Sequence, residues 1–299
     1  MNHAFLIQAH AYPELLFKIV NELNASNHFF FIHIDKKGKD MLSSSCIREL
    51  KLYQNVILLS DYQVNWGGAS QFKVTVRLLF EALLYIPKMD YFHLISGQDF
   101  PLKSNKEFDS FFEKHDWAGY MGFADIKHMD ERFSVFHFND LIDVRTRSLC
   151  GKITKWIFSL LLSCELRFYR LGFNFRPSLK YTLYKGSSWW SLRRDCASYI
   201  DSFLKEHPDF LRRFLWTNCC DEIFFHIIVM SSPYKNQIFP NNLRYIDWTD
   251  KGRGSLPLTL IKDDFEQILA KDDCFFCRKI QPHVSDELIA MILNYKNGK

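Results

Sequence analysis

Nowhere in these 299 residues do two aspartates stand one residue apart. Many enzymes built on α/β sheets hold a divalent cation against a nucleotide phosphate with such a pair, so chemistry resting on that device is excluded. No uncharged apolar run reaches the roughly 18 residues of a spanning helix. The stretch Met1 to Ala11 lacks a basic region, a long apolar run and a cleavage site, so no secretory signal is expected. Eight cysteines are scattered too widely for a disulfide scaffold. Cys219 and Cys220 are adjacent and cannot bridge to each other without strain, and Cys274-x-x-Cys277 lacks the second ligand pair of a structural zinc site. A formal net charge of +4 with no concentrated basic stripe argues against nucleic acid. There is no internal repeat and no low-complexity linker. These absences describe a cytoplasmic chain with reduced thiols, folded as one unit over 1–299.

What the chain has in quantity is apolar and aromatic surface. Hydrophobic residues make up 47% and aromatics 16%, with 29 phenylalanines. That is enough for a substantial core. Some rings are left over for sugar-stacking platforms or a membrane-facing patch.

The first 125 residues alternate between short apolar runs and helix-period stretches. Strands are expected at Ala4–Ala9, Phe29–Ile34, Asn55–Leu59 and Tyr91–Ile95, with helices over Pro13–Leu23 and Ala69–Ile86. Such repetition predicts an α/β fold, a mostly parallel twisted sheet flanked by helices. Ligands of these sheets bind beyond the carboxyl ends of the strands, where Asp35 and Asp99 fall. Residues 126–299 read as an acceptor-side and diphosphate-binding half. Its elements are expected at Ser188–Leu192, Asp195–Leu204, Asp221–Met230, Leu243–Asp247 and Asp263–Leu269. Between Arg145 and Lys180, basic residues that include Lys152, Lys155, Arg167, Arg170, Arg176 and Lys180 interleave with Trp156 and many aliphatics. This segment reads either as a helix packed on the domain or as an amphipathic helix on an anionic membrane, touching it through 150–180.

Moving a sugar off a nucleotide diphosphate requires a base for the acceptor hydroxyl and positive charge for the leaving group. Glu222, in Asn218-Cys219-Cys220-Asp221-Glu222, is the candidate base; the alternative is that Asp221-Glu222 merely complements a helix dipole. His226 lies four residues further on, at the spacing of one helical face. Without an Asp-x-Asp pair, either the chain is not such an enzyme or arginine and lysine replace the metal; Arg244, Arg278 and Lys279 are the candidates, and the alternative is that they are solvated ends of strands. Trp66, before Gly67-Gly68, and Trp189-Trp190 are either core packing or sugar platforms. Gly67-Gly68 is a turn signal too weak for a phosphate loop.

Seven stretches in order resemble the core-2/I-branching β-1,6-N-acetylglucosaminyltransferase and peptide O-xylosyltransferase family. They are Phe31-Ile32-His33-Ile34-Asp35-Lys36, Trp66-Gly67-Gly68-Ala69-Ser70, the run Ser96 to Asn105, Gly186-Ser187-Ser188-Trp189-Trp190, Asp221 to His226, Asn242-Leu243-Arg244-Tyr245 and Phe275 to Lys279. The resemblance implies a GT-A type nucleotide-sugar fold and an inverting transfer without metal or other cofactor. A UDP-sugar would be the donor, and a glycan or glycolipid the acceptor. It implies Glu222 as general base, Arg244 and Lys279 on the diphosphate with Arg278 helping, and Asp35 and His10 at the uridine. Asp99, Trp189 and Trp190 would line the sugar region. N-acetylglucosamine is the expected donor sugar and xylose the alternative. A catalytically silent glycan-binding, membrane-peripheral protein of the same fold is the rival from another class. The Golgi anchors, stems and disulfides of animal members are not seen, which suggests a short bacterial relative.

Overall fold

Strands β1 (His3–Ala9) and β2 (His28–Ile34) are apolar on both sides, so neither can leave a face to water. The computed structural model, described here over residues 1–126, 129–141 and 148–298, covers both faces. Phe5, Ile7, Phe30 and Ile32 point into one core with the helices Pro13–Leu23 and Asp286–Asn297. Their neighbours Ala4, Leu6 and Phe31 point into another, with the helices Ala69–Leu84, Arg194–Glu206 and Phe224–Met230. Period-two alternation thus feeds two cores from one strand. Each fully buried Phe or Ile contributes about 1.5–3 kcal/mol.

The central sheet adds β3 (Val56–Leu59), β4 (Tyr91–Ser96), β6 (Gly119–Ala124), β7 (Lys185–Arg193) and β8 (Ile238–Phe239), in the order β3-β2-β1-β4-β7-β6-β8. All run parallel except β7, which is antiparallel to both β4 and β6. The reversal has a positional result. The start of β7 lies at the edge where β1, β2, β4 and β6 end. A small second sheet joins β5 (Phe100–Pro101), β10 (Phe276–Arg278) and β9 (Arg244–Ile246). Its strands carry Arg244 and Arg278 to that same edge.

The expected α/β class and the four early strands are observed with small shifts at their ends. Helix Asn105–Lys114, closed by a Ser104/Glu107 capping box, was not anticipated. The element expected over Asp221–Met230 is two pieces. A 3₁₀ turn at Cys220–Glu222 is separated from the helix Phe224–Met230 by Ile223, whose φ of −126° breaks the spiral. Residues 149–170 form one long helix, Leu149–Arg170, with no buried residue. Arg176, read among the basic residues of this segment, is instead buried, and its guanidinium donates to the carbonyls of Phe133, Val135, Trp216 and Arg213.

Candidate active site

β4 and β7 pair only from Tyr91↔Arg193 to His93↔Ser191. Beyond that point they part, and the carbonyls of Leu94 and Trp190, which would face each other next, lose their ladder partners. The Arg244 guanidinium fills the gap. Its Nη2 donates to Leu94 O and to Trp190 O, both at 3.0 Å. Its Nη1 donates to Ser191 Oγ at 3.1 Å and to Asn242 O. The chain lies over the Phe276 ring, the residue is 5% exposed, and burial lowers its pKa to about 10. Arg244 was expected to hold a diphosphate. In this arrangement it is a strut, because both terminal nitrogens are spent on protein oxygens and Nε is buried without a partner.

Arg278 lies one layer further out. Its Nη1 donates to Asp99 Oδ1 at 2.7 Å and to Ser96 Oγ, and its guanidinium stacks over Trp189 at 4.6 Å. Asp99 also accepts from the Ser96 amide at 2.8 Å and is fully buried. Asp99, expected beside the donor sugar, is therefore beneath the surface, where it braces the Ser96-Gly97-Gln98 turn and fixes Arg278. Lys279 follows, half-buried, held on both sides. Gln98 exchanges bonds with Ile280, and the Lys279 backbone pairs with Leu258 and Leu260. The same turn touches the end of β1, since Gly97 N donates to Gln8 O at 2.9 Å.

β7 distributes the rest. Between Gly186 and Trp190 it bulges opposite Gly122, so Ser187–Trp189 leave the regular alternation. Ser187 Oγ accepts from Asn242, Ser188 Oγ donates to Asp221 at 2.7 Å, and Trp189 lies under Arg278. A Cβ on Gly186 would come within 1.8 Å of Gly122 O and 2.4 Å of His226 Nε2. Only glycine allows this approach. Trp190, expected at the sugar, is fully buried against Phe225 and belongs to the core. Strand alternation sends the two tryptophans to opposite sides, and the pairing of Trp190 with Met121 sets which of them goes in.

Glu222 lies where these strand ends converge. Its Oε2 is 3.4 Å from Arg132 and 3.7 Å from Lys185, and its side chain is 29% exposed. Burial first, and then the adjacent Asp221, push its carboxyl above the ordinary glutamate range, against the pull of Lys185 and Arg132. Asp221 is raised too, by burial, with the Ser188 hydroxyl opposing. The turn carrying the pair is pinned from outside. Gly67, at φ 71°, presents its carbonyl to Cys219 N at 2.9 Å, and Asn139 bonds both Gly67 O and Asn218. This places the half-exposed Trp66 beside the base loop. The amino end of the helix after Gly67-Gly68 already holds the Asp140 carboxylate, bonded to the Ser70 amide and hydroxyl.

His226 does not face Glu222. The break at Ile223 removes the helical spacing, and His226 is buried with Nε2 on Gly122 O at 3.0 Å, its pKa lowered to about 4 by burial. Asp35 follows β2, its Oδ1 accepting from the amides of Lys37 and Val64, so it shapes the turn after the strand. His10 is exposed beside that turn. Cys274 and Cys277 are buried thiols, both pushed up by burial, Cys274 to about 12. They offer no reactive thiolate.

Sequence reasoning missed Arg132 and Lys185. Lys185 was legible in principle, as the residue opening the Gly186–Trp190 motif. Arg132 carries no local signal. The one cluster of three metal-type ligands among the described residues, His3, His28 and Asp109, lies at the amino-terminal edge of the sheet, opposite this site.

The strand-end edge of the sheet thus gathers a carboxylate of raised proton affinity, two cations and a stacked arginine. A family model described as Core-2/I-Branching enzyme matches residues 3–268. The chain belongs to that family, whose members are glycosyltransferases. Among curated proteins it is similar to mouse Xylosyltransferase 1, 24% identical over 91% of this chain and 28% of that protein. Human Xylosyltransferase 2 is 25% identical over 92% and 31%. The chain thus spans about three-tenths of the length of these relatives. Among solved structures, mouse xyloside xylosyltransferase 1 in apo form matches at TM-score 0.36 and 10% identity, over 94% of this chain and 96% of that one. S. aureus TarS in complex with UDP-GlcNAc matches at 0.31 and 10%, over 46% and 39%. Neither likeness is close enough to bear on mechanism.

Proposed function

We propose that this chain transfers a sugar from a UDP-sugar to a hydroxyl of a glycan or glycolipid, with inversion and without a metal ion. The observation that carries the reading is Glu222, a partly exposed carboxylate of raised proton affinity at the meeting point of the strand ends. A base must reach the hydroxyl and be basic enough to take its proton, and the partial exposure and raised proton affinity of Glu222 support that role. As the acceptor oxygen forms its bond to the anomeric carbon, its proton passes to Glu222. The bond from that carbon to the diphosphate oxygen breaks, and UDP leaves with the electron pair. Lys279 supplies positive charge where the diphosphate accumulates negative charge, and Lys185 and Arg132 add theirs beside Glu222. Arg244 positions this set by holding β4, β7 and β9 together. In this reading the uridine would rest beside Asp35 and His10, after the ends of β2 and β1, and Trp66 and Trp189 would offer faces for sugars.

The donor sugar we favour is N-acetylglucosamine. UDP-xylose is the second reading, supported by relatives named as xylosyltransferases. Glu222→Gln tests the base. Turnover should fall about 10²–10⁴-fold, with UDP affinity by calorimetry nearly unchanged. Near-normal turnover would remove Glu222 from this role. Activity should persist in EDTA, and a large loss restored by Mn²⁺ would contradict the metal-free reading.

A further inference from the structure

The helix Leu149–Arg170 is 22 residues long, about 33 Å, and buries none of them fully. Its partly covered face is narrow. Phe158 meets Phe138 at 4.8 Å between ring centroids, and Glu165 accepts from the Phe136 amide at 3.0 Å. The opposite face carries Leu149, Ile153, Trp156, Leu160, Phe168 and Leu171, spaced three, four or eight residues apart and all exposed, Trp156 at 64% and Leu149 at 75%. A stripe of this size facing water marks a surface that is covered in use. The charge on the exposed side has one sign. Lys152, Lys155, Arg167 and Arg170 are exposed, while the helix's one acid, Glu165, is turned inward to Phe136. No helix among the described residues is long and apolar enough to cross a membrane.

We propose that this helix lies flat on an anionic lipid bilayer, its apolar stripe among the acyl chains and its basic residues at the headgroups. An apolar stripe flanked by cations, with Trp among the inserted residues, is complementary to that surface and to no neutral one. The mounting gives the placement a purpose. Residues 132–139, against which the helix packs, also hold the base loop, through Arg132 to Glu222 and Asn139 to Gly67 and Asn218. Resting on the transfer reading above, the acceptor would be borne by a lipid and presented to Glu222 at the bilayer surface.

The test is flotation of the purified chain with phosphatidylcholine vesicles, with and without phosphatidylglycerol, alongside hydrolysis of UDP-sugar in the absence of lipid. The chain should float with the anionic vesicles and about tenfold less with neutral ones or at high salt. Trp156→Asp with Leu160→Asp should cut flotation by about tenfold or more, leaving Tm and lipid-free hydrolysis unchanged. Both residues are exposed, so folding should not suffer. No flotation with anionic vesicles, or flotation undiminished in the variant, overturns the proposal. So does a wild-type dimer that this variant makes monomeric, since a second copy would then cover the stripe. Flotation without any hydrolysis would support the docking and sink the transfer reading alone. Hydrolysis without flotation would do the reverse.

Discussion

Two groups of charge in this molecule do opposite work. In the seam between β4 and β7, Arg244 has both terminal nitrogens bonded to protein oxygens, and Asp99 is saturated in the turn above it. At the edge, Glu222 is partly exposed and shares two cations at 3.4 and 3.7 Å, contacts too loose to satisfy it fully. A charge that has consumed its partners holds the framework. A charge left with capacity at a rim is available to a substrate.

Arg244→Ala should break the comparison hardest, because it strips the Leu94 and Trp190 carbonyls of their donor and opens a cavity. A loss of about 3 kcal/mol is expected by urea denaturation, and a variant of wild-type stability that no longer binds UDP would return Arg244 to the diphosphate. Gly186→Ala comes next. Its methyl group must push Gly122 and His226 aside, at a cost of about 1–3 kcal/mol, read as a lowered Tm. Lys279→Ala should reverse the pattern, weakening UDP binding by about tenfold, or 1.4 kcal/mol, with little change in Tm. Unchanged UDP affinity would count against side chains replacing a metal.

The smallest effect concerns pH. Glu222 acts as a base only when ionised, and its pKa is raised, so kcat should fall as pH drops through a value above the ordinary 4.5. Lys185 favours the ionised form, and Lys185→Met should move that acidic limb to higher pH. A limb that stays put would separate Lys185 from the base. The stability sign is opposite to that of a salt-bridged acid. A raised carboxyl takes up protons more readily when folded, so Glu222 costs stability above its folded pKa and Glu222→Gln should not destabilise the chain.

The α/β class and the early strands were legible because β1, β2 and β4 are buried on both faces and therefore carry short, mostly apolar runs. The antiparallel entry of β7 between β4 and β6 was not. Ser188–Leu192 reads as a strand but carries no mark of its direction or neighbours. Glu222 was visible through its motif, whereas the 3₁₀ turn holding it was hidden behind a plausible helix start. Arg244 illustrates the limit most clearly. A basic residue beside an apolar run has the same sequence whether it reaches solvent or bridges two carbonyls, and only the parting of β4 from β7 decides between them. Trp189 and Trp190 were indistinguishable for a similar reason, since the register that decides which of them faces the core is a property of pairing.

Because β7 enters the sheet head-first, nine residues service the whole rim. Lys185 reaches the base, Ser187 and Ser188 tether two loops, Trp189 supports an arginine and Ser191 another. Inserting or deleting a single residue within this strand would hand each side chain its neighbour's position and turn the tryptophans inside out. Evolution can therefore vary the loops around this edge piecemeal, but it must keep β7 as an indivisible word.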